Sequence, residues 1–271
     1  MKRKKKRLRK KVKPLSSTKK QLKKALKSSN NKIKKNLNKT DYNKLLRILS
    51  DFKKGKDTKS IYSKKGNYTI NRKRLHNKII KFFLKQDKNT KSPDLYVLGG
   101  VAGSGKTTNL RRMIKERAIN LNNDDIKAIL AKVTPSPSKR FFLLHAALLH
   151  RESSDVEALI IKKLLRSKKD IIFDKTLANF QKQLKIIKKF HNKGYQITTF
   201  GTNLKPHIAI ARVTKRFLNP KGDGRYVPLN IIVAKGNAIN RNVLKMAKKQ
   251  FNKRALVVDT SKRKFRIIYK K

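Results

Sequence analysis

This sequence predicts an α/β fold, a parallel sheet covered by helices on both faces, preceded by a disordered to partly helical basic N-terminal extension. Three observations predict it. From Leu95 onward, short apolar runs alternate with amphipathic segments of roughly 10–15 residues, the pattern of strand–helix units in a parallel sheet. A glycine-rich loop, Gly100–Thr107, stands between the first such strand and the helix after it. Charge and apolar content also change along the chain. Residues 1–94 hold 35 Lys and Arg against 5 acids, whereas residues 95–271 hold 40 against 10. The expected organisation is a Lys/Arg-rich arm over 1–40, a basic, partly helical extension over 41–94, and a nucleotide-binding domain over 95–271.

The first forty residues carry few large apolar side chains, too few to offset chain entropy, so disorder is expected there. Asp41 is a candidate cap for a short helix with Leu45, Leu46, Ile48 and Leu49 on its inner face. A second helix is expected from about Leu75 to Gln86, with Ile79, Ile80, Phe83 and Leu84 as its apolar stripe. Lys91-Ser92-Pro93 then breaks the chain. Strands are expected at Leu95–Leu98, Ala118–Leu121, Ile171–Phe173, Gln196–Phe200, Ala255–Val258 and Phe265–Tyr269. Helices are expected over Lys106–Lys115, from about Asp124, over Ser138–His150, Ser153–Ser167, Leu177–Asn192 and Ile208–Phe217, and near Leu229–Gln250.

Gly100-Val101-Ala102-Gly103-Ser104-Gly105-Lys106-Thr107 fits G-x-x-x-x-G-K-[ST] fully, with a strand before it and a helix after it. Glycines let backbone N–H groups curl around a triphosphate, and the following helix aims its positive end at the same phosphates. This marks a P-loop NTPase-type domain. Gly100, Ala102, Gly103, Ser104, Gly105, Lys106, Thr107 and Thr108 are the ATP-binding candidates. Lys106 is placed to reach the β- and γ-phosphates, and the Thr107 hydroxyl to bind Mg²⁺.

In a chain with 15 acids among 271 residues, each carboxylate draws notice. Asp124 and Asp125 follow the second strand, where ligands bind in open parallel sheets. One of them is a candidate general base, with helix capping as the alternative. Asp174 ends an apolar strand, the place for a carboxylate facing Mg²⁺, or else an ordinary strand-end turn residue. Arg212 and Arg216 share a helical face and Arg225 follows in a Gly-Asp-Gly-Arg loop, forked donors suited to developing phosphoryl charge. His145 and His150 lack metal-ligand spacing and read as packed or surface residues.

These motifs together resemble the zeta toxin family of P-loop kinases. The resemblance runs from GGVAGSGKTT through Asn122-Asn123-Asp124-Asp125-Ile126-Lys127, His150-Arg151-Glu152-Ser153-Ser154 and Phe173-Asp174-Lys175-Thr176-Leu177. It ends with Ala211-Arg212-Val213 and Gly224-Arg225-Tyr226-Val227-Pro228. It implies Asp124 as general base, Lys106 as phosphate ligand, Arg212 and Arg225 as stabilisers of the transferring group, and Glu152 and Thr176 as acceptor ligands. It also implies ATP and Mg²⁺ as cofactors, UDP-N-acetylglucosamine as the type of acceptor, and an antitoxin protein as a partner. Lys175 and Ser153 depart from the family's glycine and alanine.

The formal net charge of +60 points to a polyanionic partner, and nucleic acid fits it. The arm's Tyr42, Phe52, Tyr62 and Tyr68 are interleaved with lysines and offer stacking surfaces, with core packing as the alternative. No segment pairs a basic face with a broad apolar one, and no apolar run approaches the ~18 residues that span a bilayer, so no membrane partner is expected. Without cysteine there are neither disulfides nor thiolate metal sites. No secretory signal is evident, which leaves a cytoplasmic, nucleic-acid-associated or virion-packaged location. Two other readings share these features: a polynucleotide 5′-kinase, and a non-catalytic DNA-packaging protein on a P-loop scaffold.

Overall fold

The structure, a computed structural model, describes residues 13–85, 90–106, 113–114, 118–134, 143–222, 224–262 and 265–271. The extension contributes α1 (Lys19–Asn36), α2 (Lys39–Lys53), α3 (Thr58–Tyr62), a two-stranded hairpin of β1 (Ser63–Lys64) and β2 (Asn67–Tyr68), and α4 (Ile70–Leu84). The body follows with β3 (Asp94–Gly99), β4 (Ile119–Asn122), α5 (Asn123–Lys132), α6 (His150–Leu164), β5 (Ile171–Lys175) and α7 (Phe180–His191). It ends with β6 (Gln196–Asn203), α8 (Pro206–Phe217), α9 (Leu229–Ala247), β7 (Asn252–Asp259) and β8 (Arg266–Lys270).

The main sheet runs β4-β5-β3-β6-β7-β8. Its first five strands are parallel, as the strand–helix alternation predicts. β8 is the exception, pairing antiparallel with β7. The two are joined by a loop too short for a crossover helix, so only a hairpin return is available. The β3–β5–β6 centre of the sheet is buried on both faces, with Leu95, Val97, Phe173 and Ile197 enclosed on one and Leu98, Ile172 and Phe200 on the other. β3 leads to β4 on one side while β6 leads to β7 on the other, so the loop after β3 opens at the point where the strand order reverses.

Two expectations change. The helix expected over Ser138–His150 falls partly outside the described residues. Within them, Leu143–Leu149 forms consecutive tight turns, and the helix begins at His150. The helix expected over Lys106–Lys115 lies mostly outside them. The larger change is in the arm. Disorder is expected over residues 1–40, yet Lys19–Asn36 is helical. Thr18 and Gln21 form a reciprocal capping box at its start. Leu22 and Ile33 are buried and Ala25 and Leu26 half-buried on one face, which packs on α8. Four small or aliphatic positions cannot stabilise a helix alone, but they suffice against a preformed partner.

The segment before α1 is tied down as well. Leu15 N–H donates to Asn203 Oδ1 (3.0 Å), and Asn240 Nδ2 donates to the Leu15 carbonyl (2.7 Å). Asn237 brackets Ser17, accepting from its N–H and donating to its carbonyl, both at 2.9 Å.

α4 is fixed to the body by a buried ion pair. Glu152 on α6 is fully buried and accepts from Arg72 Nε (2.6 Å) and Nη2 (2.9 Å) and from His76 Nε2 (2.7 Å). The Arg72 guanidinium also lies over the Tyr62 ring at 4.3 Å. Burial alone pushes the Glu152 carboxyl up, but hydrogen bonds from His76 and Arg72 outweigh it and hold it at about 2, against an ordinary 4.5. The larger hydrophobic core runs from Leu22, Ile48 and Phe83 of the extension to Val97 and Phe173 of the sheet, so extension and body fold together.

Removing one partner of a buried pair strands the other charge. Arg72→Ala is expected to cost about 3–5 kcal/mol in urea unfolding, and the double change Arg72→Met, Glu152→Met much less. A depressed carboxyl favours the fold above its unfolded value and loses that contribution as pH falls through its folded value. Stability should therefore drop between pH ~4.5 and ~2 by on the order of 3 kcal/mol from this group, a drop that Glu152→Gln removes.

Candidate active site

The parallel strands deliver their C-terminal ends to one edge. Leu98 and Asn122 both stand opposite Asp174 in register, Gly99 opposite Lys175 and Gly201, and Asn203 opposite Asp259. The P-loop, Asp124, Asp174–Thr176, Thr202 and the loop after β7 therefore share one cleft rim.

Gly100 leaves β3 with φ +153°, and a Cβ there would lie 2.1 Å from Thr202 Oγ1. Thr202 Oγ1 in turn lies 2.5 Å from Ser104 Oγ and donates to the Gly99 carbonyl at 3.3 Å. Gly103, with φ +79°, sits against α8, where its Cβ would lie 2.9 Å from Val213 Cγ1. The loop is thus pinned from both sides, and its glycines are required by contact and conformation together. Lys106 Nζ donates to the Gly100 carbonyl at 3.0 Å, folded across the loop it would share with phosphates. This cradle, with Gly105 also at positive φ, fits a triphosphate. Thr107 and Thr108 lie outside the described residues.

Asn122 caps α5, its side chain accepting from Asp124 N–H at 2.8 Å. Asp124 is therefore not the cap, and its carboxylate is left for the cleft, where it meets Arg225 Nη1 (2.5 Å) and Lys127 Nζ (3.2 Å). Its side chain remains 36% exposed, so it lines an open cleft. Enclosure alone would raise the Asp124 carboxyl. The Lys127 ammonium and the Arg225 guanidinium outweigh that and hold it well below the usual carboxylate range. Asp125 turns outward, accepting from Asn120 Nδ2 at 2.9 Å.

Arg212 is half-buried on α8. Its Nη2 donates to the Thr260 carbonyl at 2.7 Å, and its Cβ abuts the space beside Gly103. Asp174 is half-buried at the end of β5. Among the described residues no cluster of three His, Asp or Glu side chains could hold a metal alone. A single carboxylate beside bound phosphates is the usual arrangement for Mg²⁺, and Asp174 fits it. Thr176 is half-buried, next to Leu177, which is fully buried with φ +61°. Glu152 is fully buried, and its oxygens are engaged by Arg72 and His76.

Lys175 stands where the resemblance predicts glycine. Its ammonium pairs with Glu157 and lies 5.2 Å from the Phe173 ring centroid. Burial pushes the Lys175 ammonium below its ordinary value despite the attraction of Glu157. Sequence reasoning missed Lys127, readable as a partner three residues after Asp124, and Thr202, which carries no local signal at all.

The zeta toxin family matches residues 81–270. This chain belongs to the zeta toxin family. Among solved structures, a chain from the PezAT chromosomal toxin–antitoxin system of Streptococcus pneumoniae superposes with a TM-score of 0.53 at 17% identity, covering 75% of this chain and 81% of that one. A chain of the AvrRxo1-ORF1:ORF2 complex, solved with sulphate ions and also with ATP, gives a TM-score of 0.56 at 18% identity. That match covers 74% of this chain and 68% of the other. At such identities the likeness concerns the fold, a P-loop kinase architecture. No curated protein sequence matches the chain.

Gly100→Ala should weaken binding of a non-hydrolysable ATP analogue at least ~10-fold by calorimetry, corresponding to about 1.4 kcal/mol. Adding Thr202→Ala, which removes the shortest of the clashes and leaves the one with Ser104 Oγ, should restore part of that loss.

Proposed function

We propose that the chain is an ATP- and Mg²⁺-dependent kinase of the zeta-toxin type, phosphorylating a hydroxyl of a small, UDP-N-acetylglucosamine-like acceptor. The observation that carries this reading is the Asp124 carboxylate, kept ionised by Lys127 and Arg225 on the same rim as the P-loop. An ionised carboxylate there can accept the proton of an attacking hydroxyl.

Lys106 would exchange the Gly100 carbonyl for β- and γ-phosphate oxygens. Arg225, now held by Asp124, and Arg212, now held by the Thr260 carbonyl, would turn to the transferring group. Phosphate oxygens competing for Arg225 loosen its hold on Asp124, and the carboxylate becomes more basic as the donor enters. Asp174 and Thr107 would be the residues to hold Mg²⁺, which would supply positive charge against the phosphates. Thr176, beside the strained Leu177, would contact the acceptor, and the Lys175–Glu157 pair would shape that end of the cleft. Glu152 would act at one remove, holding α4 against the start of α6. Partners would be an antitoxin protein and nucleic acid.

A second reading, a polynucleotide 5′-kinase, is favoured by the hydrogen bond of Leu15 to Asn203 at the same sheet edge, on a stretch that directly follows the basic residues 2–13 in the sequence. Labelled γ-phosphate transfer decides between them, with UDP-N-acetylglucosamine and a 5′-hydroxyl oligonucleotide offered in parallel. Label on the sugar nucleotide is the expected result; label on the oligonucleotide alone would replace it. Lys106→Ala should abolish transfer, and Asp124→Asn should cut turnover by ~10²-fold or more while ATP still binds. Turnover like that of the unaltered protein in Asp124→Asn would remove this residue from the chemistry.

A further inference from the structure

We infer that the paired face of α1 and α8 is a docking surface for the phosphate backbone of nucleic acid. α1 holds eight lysines and no acid in 18 residues. Its apolar positions Leu22 and Ile33 point into the body, which leaves Lys20, Lys24, Lys27, Lys32 and Lys35 on the exposed side. Lys24, Lys27, Lys32 and Lys35 line a shallow groove of about 450 Å³ along the helix. A larger groove of about 920 Å³ runs between α1 and α8, lined by Lys32 on one wall and Lys215, Arg212 and Arg216 on the other. No carboxylate appears among the described residues that line either groove.

A surface of this kind repels itself unless an anion lies on it, and its form narrows the anion. The lysines recur at helical spacing along one axis, so an extended polyanion is matched better than a compact one. At 1.5 Å per residue, α1 is about 27 Å long, which spans roughly eight base pairs of duplex. The remaining lining residues of α1 are Ser28, Ser29, Asn31 and Asn36 with one alanine, polar side chains that can donate to phosphate oxygens. An anionic membrane is a poorer match, because the exposed side of α1 offers no large apolar side chain for insertion.

The face is ordered, unlike a free tail. The capping box at Thr18, the Asn237 and Asn240 contacts to Ser17 and Leu15, and the packing on α8 hold the lysines in place before any ligand arrives. Preordering removes part of the entropy cost of binding.

The experiment uses the full chain and a fluorescein-labelled 20-base-pair duplex, with anisotropy read across 50–300 mM salt. A variant carrying Lys24→Glu, Lys27→Glu, Lys32→Glu and Lys215→Glu changes exposed positions only, and circular dichroism checks that it stays folded. The expected result is affinity at least ~10-fold weaker at 100 mM salt, with a log–log salt slope shallower by about 3–4, one contact per lysine. A second variant replaces the Lys and Arg of residues 2–12 by Gln. Unchanged affinity and slope in the first variant, with binding lost in the second, would overturn the inference. Polyglutamate of matched charge binding as tightly as the duplex would overturn it too, since the face would then fit an acidic protein. Lys106→Ala should bind duplex like the unaltered chain, so the outcome stands apart from that of the kinase assay.

Discussion

The cleft depends on how closely β6 approaches the loop after β3. Thr202 occupies the volume that any side chain at Gly100 would need, and its hydroxyl meets both Ser104 Oγ and the Gly99 carbonyl. This contact fixes the exit angle of the chain from β3 and hence where the P-loop turns. From the other side, α8 closes on Gly103 so tightly that a methyl group would collide with Val213. The same helix carries Arg212, so the position of that arginine and the shape of the loop are set by a single packing contact.

The second organising constraint is charge. A chain with 75 basic and 15 acidic residues has few carboxylates to spend, and the structure concentrates several of them where burial strengthens them. Glu152 joins Arg72 and His76, Glu157 joins Lys175, and Asp124 joins Arg225 and Lys127. Asp155 receives Lys59 at 2.7 Å and the Tyr68 hydroxyl at 2.8 Å, tying α3 and the hairpin to α6. Three of these four sets lie on or beside α6, which thereby joins the extension to the sheet. The uncompensated positive charge is left to the surface, with α1 its densest ordered stretch.

The extension is consequently part of the domain and not an appendage to it. Its helices share the core of the sheet, and Asn203, Asn237 and Asn240 read the backbone of residues 15–17 with amide side chains. Amides suit this task because they satisfy both backbone N–H and C=O groups, which would otherwise be costly at a part-buried contact. α1 is held against the helix that bears Arg212, so events on the basic face and in the cleft involve one shared element.

The sequence by itself determined whatever rests on short-range pattern. The P-loop, its flanking strand, the strand–helix alternation and the parallel centre of the sheet follow from periodicity and from glycine spacing. Asp124 could be placed at the cleft because its strand ends two residues before it, although Asn122 rather than either aspartate proved to be the cap. Only the tertiary structure decided which of the many cations meets which of the few acids. Arg225 reaches Asp124 across a separation of about a hundred residues, and Arg72 pairs with Glu152 across 80. Order in α1 was likewise illegible, because its narrow apolar stripe is inadequate for a lone helix and adequate once α8 supplies the other half of the contact. Periodicity is a property of neighbours along the chain, whereas charge pairing and marginal burial are settled by residues that only folding brings together.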